Sequence, residues 1–320
     1  MTTPPAELVD RIRQGRRFVV ASHQRPDGDA IGSAMAMALA LGELGKEAVV
    51  VTDAIPPVFL QPFPHVDTIR VTPEIAEPFD AALIMECSEL GRTGVRGLGR
   101  SPVVNIDHHP GNSGYGAVNW IDESAAACGE MAFELIEALG VRLTPDIATH
   151  VYLAILTDTG SFHFSHLTPR TYDIARRCVE AGADPQWIAR THYDSNSLAR
   201  VRIFGAVMNG MVIVDEGRVA LLHITRQTMT DLGGTNDDLE GLINFPLTVK
   251  DIEAVAFFKE VGDGEWRVSL RSKGPVNIGA IARQHAGGGH TNAAGCSVSG
   301  KIDDVQRLFS HLLTDAVRKK

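Results

Sequence analysis

Phe18, Val19, Val20 and Ala21 form an unbroken apolar run of β-branched and other apolar side chains, which predicts a strand buried on both faces. Residues 31–44, rich in Ala, Met and Leu, follow with the composition of a helix. Residues 48–52, 79–85 and 102–106, each mostly apolar, predict further strands, with a short edge strand at 115–120. Residues 7–15 predict a short helix before the first strand, whereas Pro56, Pro57, Pro62 and Pro64 make 55–65 a loop. Helical patterns then run through 124–139, 145–157, 169–181 and 185–193. Ser124 is expected to cap the first of these and Gly140 to stop it, and Pro145 suits the opening turn of the second. Strands alternating with helices predict an α/β fold with a mainly parallel, doubly wound sheet over residues 1–193.

The pattern changes after about residue 195. Runs at 212–214 and 219–224 flank Asp215-Glu216-Gly217, and runs at 254–260 and 266–271 flank Gly262-Asp263-Gly264. Both are hairpin signals. Residues 276–284 and 305–317 read as helices. A smaller α+β domain is therefore expected over 211–320, with 194–210 as a connector of helical character. A cleft between the two domains is the expected ligand site.

Composition narrows the classes of function. A chain of 320 residues suits two cores, and 44% hydrophobic with 22% charged residues is globular composition. The net charge of −9 argues against a broad basic face coating long nucleic acid. It is compatible with a short anionic substrate held by metals and a few Arg or Lys residues. Cys87, Cys128, Cys178 and Cys296 are widely spaced and include no CxxC pair, so neither a disulfide framework nor a zinc ribbon is expected. That usage fits a reducing cytosol. Residues 1–10 lack a signal pattern, and the apolar stretch 31–41 is too short to span a bilayer, so a cytoplasmic protein off the membrane is expected.

The candidate chemistry lies where strands and helices end. Ser22-His23-Gln24-Arg25-Pro26-Asp27-Gly28-Asp29 forms the turn after the first strand, at the sheet edge where open α/β folds bind ligands. Glu86 ends the strand 79–85, Asp107, His108 and His109 follow 102–106, and Asp158 ends the helix 145–157. Taken singly, each has a structural explanation. Asp29 could cap the following helix, a strand-end His could be a satisfied polar group, and Asp158 could bond to Thr157 or Thr159. Taken together, five carboxylates and three imidazoles would repel and hold protons. Two divalent cations such as Mn²⁺ remove that cost and can clamp both oxygens of a displacement at phosphorus. Phosphoester hydrolysis is the reaction class that fits.

These segments resemble, in order, the motifs of the DHH phosphoesterase superfamily: His23-Gln24-Arg25-Pro26-Asp27-Gly28-Asp29, Asp107-His108-His109, and Leu153-Ala154-Ile155-Leu156-Thr157-Asp158-Thr159-Gly160. Gly287-Gly288-Gly289-His290-Thr291-Asn292-Ala293-Ala294 resembles the glycine-rich motif of the DHH-associated C-terminal domain. The two-domain length most resembles the nano-RNase A type. That resemblance implies a hydrolase that degrades very short oligonucleotides to nucleoside monophosphates and dephosphorylates 3′-phosphoadenosine 5′-phosphate (pAp) to AMP. It implies two divalent ions, Mn²⁺ with Mg²⁺ as the alternative, and a homodimer. By resemblance, His23 and Asp27 hold the first metal, Asp29, His108 and Asp158 the second, and Glu86 bridges both. His109 contacts the scissile phosphate or assists proton transfer, and Asp107 orients the imidazoles. One position departs from the family, which usually has Asp where this chain has Glu86; Asp53 is a poorer substitute because no motif matches its strand.

For the second domain, Gly287, Gly288 and Gly289 are candidates to cradle a phosphate through backbone N–H groups, with His290 alongside. Arg271 is the leading candidate to grip a terminal phosphate, with Lys273 and Arg92 behind it. Three other readings remain open on the sequence: a cyclic or linear dinucleotide phosphodiesterase acting on c-di-AMP or pApA, an inorganic pyrophosphatase, and a nucleotide-binding regulator without activity.

Overall fold

Phe18, Val19, Val20 and Ala21 have no exposed surface, because their strand lies third in a six-stranded sheet whose neighbouring strands are all parallel. The structure, a computed structural model, describes residues 2–163, 167–239 and 241–319. It divides into two compact units, 1–195 and 196–320. The first unit runs α1 (Ala6–Gln14), β1 (Arg17–Ala21), α2 (Gly28–Glu43), β2 (Glu47–Thr52), β3 (Arg70–Val71), β4 (Ala81–Met85), β5 (Val103–Asp107), β6 (Val118–Ile121), α3 (Cys128–Ala138), α4 (Pro145–Asp158), α5 (Pro169–Glu180) and α6 (Pro185–Tyr193). The strand order is β3-β2-β1-β4-β5-β6. The order reverses between β1 and β4, and in open parallel sheets that switch point is where ligands bind.

Alternation along β1 feeds two cores. Phe18 and Val20 pack with α2, α3 and α4 on one face, and Val19 and Ala21 pack with Ile75, Phe79 and Leu98 on the other. Sequence and structure differ at the start of α3. Ser124 does not cap it: the Ser124 N–H and hydroxyl both bond to Asp122 Oδ1, at 3.0 and 2.6 Å, and the helix starts only at Cys128. Helix α2 starts earlier than its apolar run, at Gly28. Its cap is Asp27 and not Asp29: Asp27 accepts the Ala30 N–H at 3.0 Å.

The second unit runs α7 (Leu198–Asn209), β7 (Val212–Val214), β8 (Val219–Ile224), α8 (Arg226–Asp231), β9 (Ala254–Gly262), β10 (Glu265–Ser272), α9 (Gly279–Gln284), β11 (Gly288–Gly289), β12 (Ala293–Ser299) and α10 (Ile302–Arg318). Its sheet order is β11-β12-β10-β9-β8-β7, antiparallel except for the β8–β9 pair. Of the stretch expected as a helical connector, 194–210, residues 196–210 belong to this unit, and most of them form α7. Ile203 and Val207 of α7 are buried against Ala220 and Leu222 of β8. Strand β12 has no apolar alternation to announce it. Its Ala, Gly and Ser residues are held in the sheet by β10 along one side and β11 at one end.

Candidate metal centre

The loop after β1 brings His23 and Asp27 together, with His23 Nε2 at 3.9 Å from Asp27 Oδ2. His23 donates from Nδ1 to the Gln24 carbonyl at 2.9 Å, which leaves Nε2 with its lone pair in the neutral ring. The loop is braced by the Gln24 N–H on the Arg92 carbonyl at 2.7 Å and by Gln24 Nε2 on Asp53 at 3.2 Å. Asp53 therefore has a bracing contact at the edge of this loop.

Asp29 is buried in the first turn of α2. Its carboxylate accepts the backbone N–H groups of Cys128, at 2.7 Å, and Gly129, at 3.0 Å, and the Ser33 hydroxyl at 2.6 Å. The positive end of α3 thus faces this carboxylate. Gly28 lets the start of α2 come close to the end of α4, since a Cβ there would lie 2.5 Å from Thr157 Cγ2. The hydroxyls of Thr157 and Thr159 turn back to helix carbonyls, so neither binds Asp158.

Four residues from four separate elements then converge. Asp29, Glu86, His108 and Asp158 each offer an atom, and all four atoms lie within 4.8 Å of one another. His108 Nε2 lies 3.3 Å from Glu86 Oε1, 3.5 Å from Asp158 Oδ2 and 3.9 Å from Asp29 Oδ2. Its Nδ1 donates to the Ala125 carbonyl at 3.0 Å. Glu86, His108 and His109 form an overlapping group, with His109 Nδ1 3.4 Å from Glu86 Oε1. Asp107, fully buried, accepts from His109 Nδ1 at 2.9 Å. His23 and Asp27 stand outside these two groups as a pair of their own.

The electrostatics are those of crowded carboxylates. Burial raises the Asp29 pKa well above its ordinary value, and the charges of Glu86 and Asp158 push it further. Burial likewise raises Asp158, helped by the charges of Glu86 and Asp27 and opposed by His108. Burial alone would lower His108, but the hydrogen bond and charge of Glu86 outweigh it and raise its pKa. Without a cation, the cluster must retain protons to hold its charge in check.

A divalent ion fits this donor set. Glu86 Oε2 is buried with no hydrogen-bond partner among the described residues. His23 and His108 each use Nδ1 on a backbone carbonyl, the arrangement that fixes ligating imidazoles with Nε2 outward. Carboxylate and imidazole donors without thiolate suit hard or borderline ions such as Mg²⁺ and Mn²⁺.

Residues 17–155 match the DHH family, N-terminal domain, and residues 218–316 match the DHHA1 domain. The chain is 34% identical over 303 residues to the bifunctional oligoribonuclease and PAP phosphatase NrnA of Thermus thermophilus, spanning 94% of this chain and 89% of that one. This chain belongs to the DHH family. Among solved structures, an exopolyphosphatase-related protein from Bacteroides fragilis superposes with a TM-score of 0.86 at 24% identity, over 97% of this chain and 95% of that one. An exonuclease RecJ bound to manganese superposes with a TM-score of 0.55 at 15% identity, over 100% of this chain and 98% of that one. Both share the DHH fold.

In the DHHA1 domain, Arg271 is half-buried on β10 and donates from Nη1 to the Leu270 carbonyl at 3.0 Å. Lys273 bonds to the Val249 carbonyl at 2.8 Å. The glycine run is not an open turn. Gly288 and Gly289 form the edge strand β11, paired to Gly295 and Ala294. Gly289 has φ +132° and its missing Cβ would meet the Ala293 carbonyl at 2.4 Å, so glycine is required there by the hairpin itself. The His290 N–H closes that hairpin on the Ala293 carbonyl at 2.8 Å. In the DHH domain, sequence reasoning missed Asn112, whose Nδ2 donates to Asp107 Oδ2 at 2.6 Å. Its position in a loop of Gly, Asn and Ser carries no signal beyond turn formation.

Proposed function

We propose that this chain is a divalent-metal-dependent phosphohydrolase that degrades oligonucleotides of a few residues to nucleoside monophosphates and dephosphorylates pAp to AMP. The observation that carries the reading is the convergence of Asp29, Glu86, His108 and Asp158 within 4.8 Å at the switch point of the DHH sheet. The name of the Thermus relative, an oligoribonuclease and PAP phosphatase, supports the choice of substrate.

His23 and Asp27 would hold one divalent ion and Asp29, His108 and Asp158 a second, with Glu86 available to both. A divalent ion held there would supply positive charge for the phosphoryl oxygens and lower the pKa of a bound water. Asp107 holds the Nδ1 side of His109, so Nε2 is the atom left for the substrate. The hydrogen bond to Asp107 raises the His109 pKa, partly opposed by burial, which favours an Nε2–H that can donate to a phosphoryl or leaving oxygen. In the DHHA1 domain, Arg271 and the hairpin that carries Gly287, Gly288, Gly289 and His290 are the candidates to hold a terminal phosphate. A cytosolic setting is supported by four free, buried cysteines. Among the described residues, no helix is long and apolar enough to cross a membrane.

The test is product analysis with Mn²⁺ on 5′-labelled RNA of graded length, pAp, c-di-AMP and pyrophosphate in parallel. Rapid loss of the shortest oligomers and of pAp, with longer RNA spared, is expected. EDTA abolishes both activities, and Asp29→Ala or His108→Ala reduces them by at least about 10²-fold. Turnover of c-di-AMP or pyrophosphate alone, or full activity in either variant, would overturn the reading.

A further inference from the structure

Helix α3 begins without a capping side chain at its own N-cap, which is Ala127. Two carboxyl groups take that place. Asp29 receives the N–H groups of Cys128 and Gly129, at 2.7 and 3.0 Å. Glu130, the third residue of the helix, turns Oε2 back to the Ala126 N–H at 3.3 Å. This is the glutamate half of a capping box displaced by one residue. The other side of the turn is fixed by the Ala125 N–H on the Asp122 carbonyl at 3.1 Å.

The turn 125–129 carries the contacts that aim two candidate ligands. Its Ala125 carbonyl receives His108 Nδ1–H at 3.0 Å, and its Cys128 and Gly129 N–H groups hold Asp29. Glu130 itself is only 2% exposed, and its carboxyl has two hydrogen-bonding neighbours, the Ala126 N–H of the turn and the Thr171 hydroxyl at the start of α5. A buried carboxyl is costly where a Leu or Met would pack. Of its two bonds, the one to Ala126 reaches the turn that holds the candidate ligands.

We propose that Glu130 is a positioning residue of the metal centre: by holding the turn 125–129 it keeps His108 and Asp29 convergent. The role of the centre in binding metal rests on the proposed function, so the test includes a readout that needs no metal. The accepting oxygen is what matters, so a glutamine amide serves in its place, while alanine or the shorter aspartate cannot reach Ala126.

The experiment compares Glu130→Ala, Glu130→Asp and Glu130→Gln in the full chain, with folding checked by circular dichroism. The first readout is the NMR signal of His108 Nδ1–H, a downfield proton shielded from water by its bond to Ala125. It persists in wild type and E130Q, and exchanges at least about tenfold faster in E130A and E130D. The second is Mn²⁺ affinity by calorimetry, which falls about 10–100-fold in E130A and E130D and stays within about threefold in E130Q. Should E130A not fold, E130D carries the comparison. Wild-type exchange and wild-type Mn²⁺ affinity in E130D overturn the proposal, as does E130Q losing as much as E130D. A wild-type chain that binds no Mn²⁺ overturns the metal reading instead, and the proton signal still decides the role of Glu130.

Discussion

Asp107 grips His109 through a single oxygen: Oδ1 accepts Nδ1–H of His109 at 2.9 Å and also the backbone N–H groups of His108 and His109, at 3.0 and 3.3 Å. Its other oxygen accepts from Asn112 at 2.6 Å. Burial would raise the Asp107 pKa, but the hydrogen bonds from His109 and Asn112 outweigh it and lower it. Both oxygens must therefore be acceptors.

Asp107→Asn breaks this arrangement. Three donors require Oδ1 to remain an oxygen, so the new NH₂ faces the NH₂ of Asn112, donor against donor. The variant is expected to lose about 1–3 kcal/mol of stability in urea unfolding. It is also expected to lose about 10²-fold or more in kcat, with Mn²⁺ affinity changed by less than about threefold. Unchanged kcat in a folded variant would separate His109 from the chemistry.

Glu86 adopts φ +54°, a region that Asp enters more readily than Glu. Its length is what brings Oε1 to 3.3 Å from His108 and 3.4 Å from His109. Glu86→Asp should leave the melting temperature equal or higher and weaken Mn²⁺ binding about tenfold. Calorimetry with Mn²⁺ and a thermal melt of the metal-free protein check both halves. Tighter binding in the variant would show that the centre does not need the longer side chain.

His150 is fully buried, and its Nε2–H donates to the Pro64 carbonyl at 2.7 Å. Burial lowers its pKa to about 4, against a weak upward pull from Pro64 and Asp146, with His65 lowering it further. Between that value and the unfolded value near 6.5, the unfolded chain binds a proton that the native state excludes. Stability therefore rises with pH through this window and is lost as pH falls through it. Between pH 7.5 and 5, wild type should lose about 2 kcal/mol more than His150→Gln in urea unfolding under EDTA. Parallel losses in the two proteins would contradict this.

Gly129 lies where α3 crosses α4, and a Cβ there would stand 2.4 Å from the Ala154 Cβ and 3.3 Å from the Val151 carbonyl. Gly129→Ala must push the helices apart, at a cost of about 1–3 kcal/mol. The same N–H that holds Asp29 moves with it, so Mn²⁺ affinity should fall together with the melting temperature. A variant with native stability would mean that the helices yield at no cost.

The runs at β1 and β4 were legible because strands covered on both faces are largely apolar, and β5 was legible despite the buried Asn105 within it. The candidate ligands were legible for a related reason: Glu86, His108 and His109 stand just past such strands, and His23, Asp27, Asp29 and Asp158 stand at or near the end of a strand or helix. The start of α3 was not, because its caps are Asp29 from another helix and Glu130 from within, neither of which leaves a local signal. Strand β12 was hidden by small residues whose place is set by their partners in the sheet. The Ala125 carbonyl and Asn112 act through backbone position and loop shape, which single residue types do not announce.

The most direct test of the central claim is anomalous diffraction at the manganese edge from crystals grown with Mn²⁺. Two peaks about 3.5–4 Å apart are expected. One should be bound by His23 and Asp27, the other by Asp29, His108 and Asp158, with Glu86 touching both. No peak among these side chains, or manganese bound elsewhere while pAp is still hydrolysed, would contradict the account.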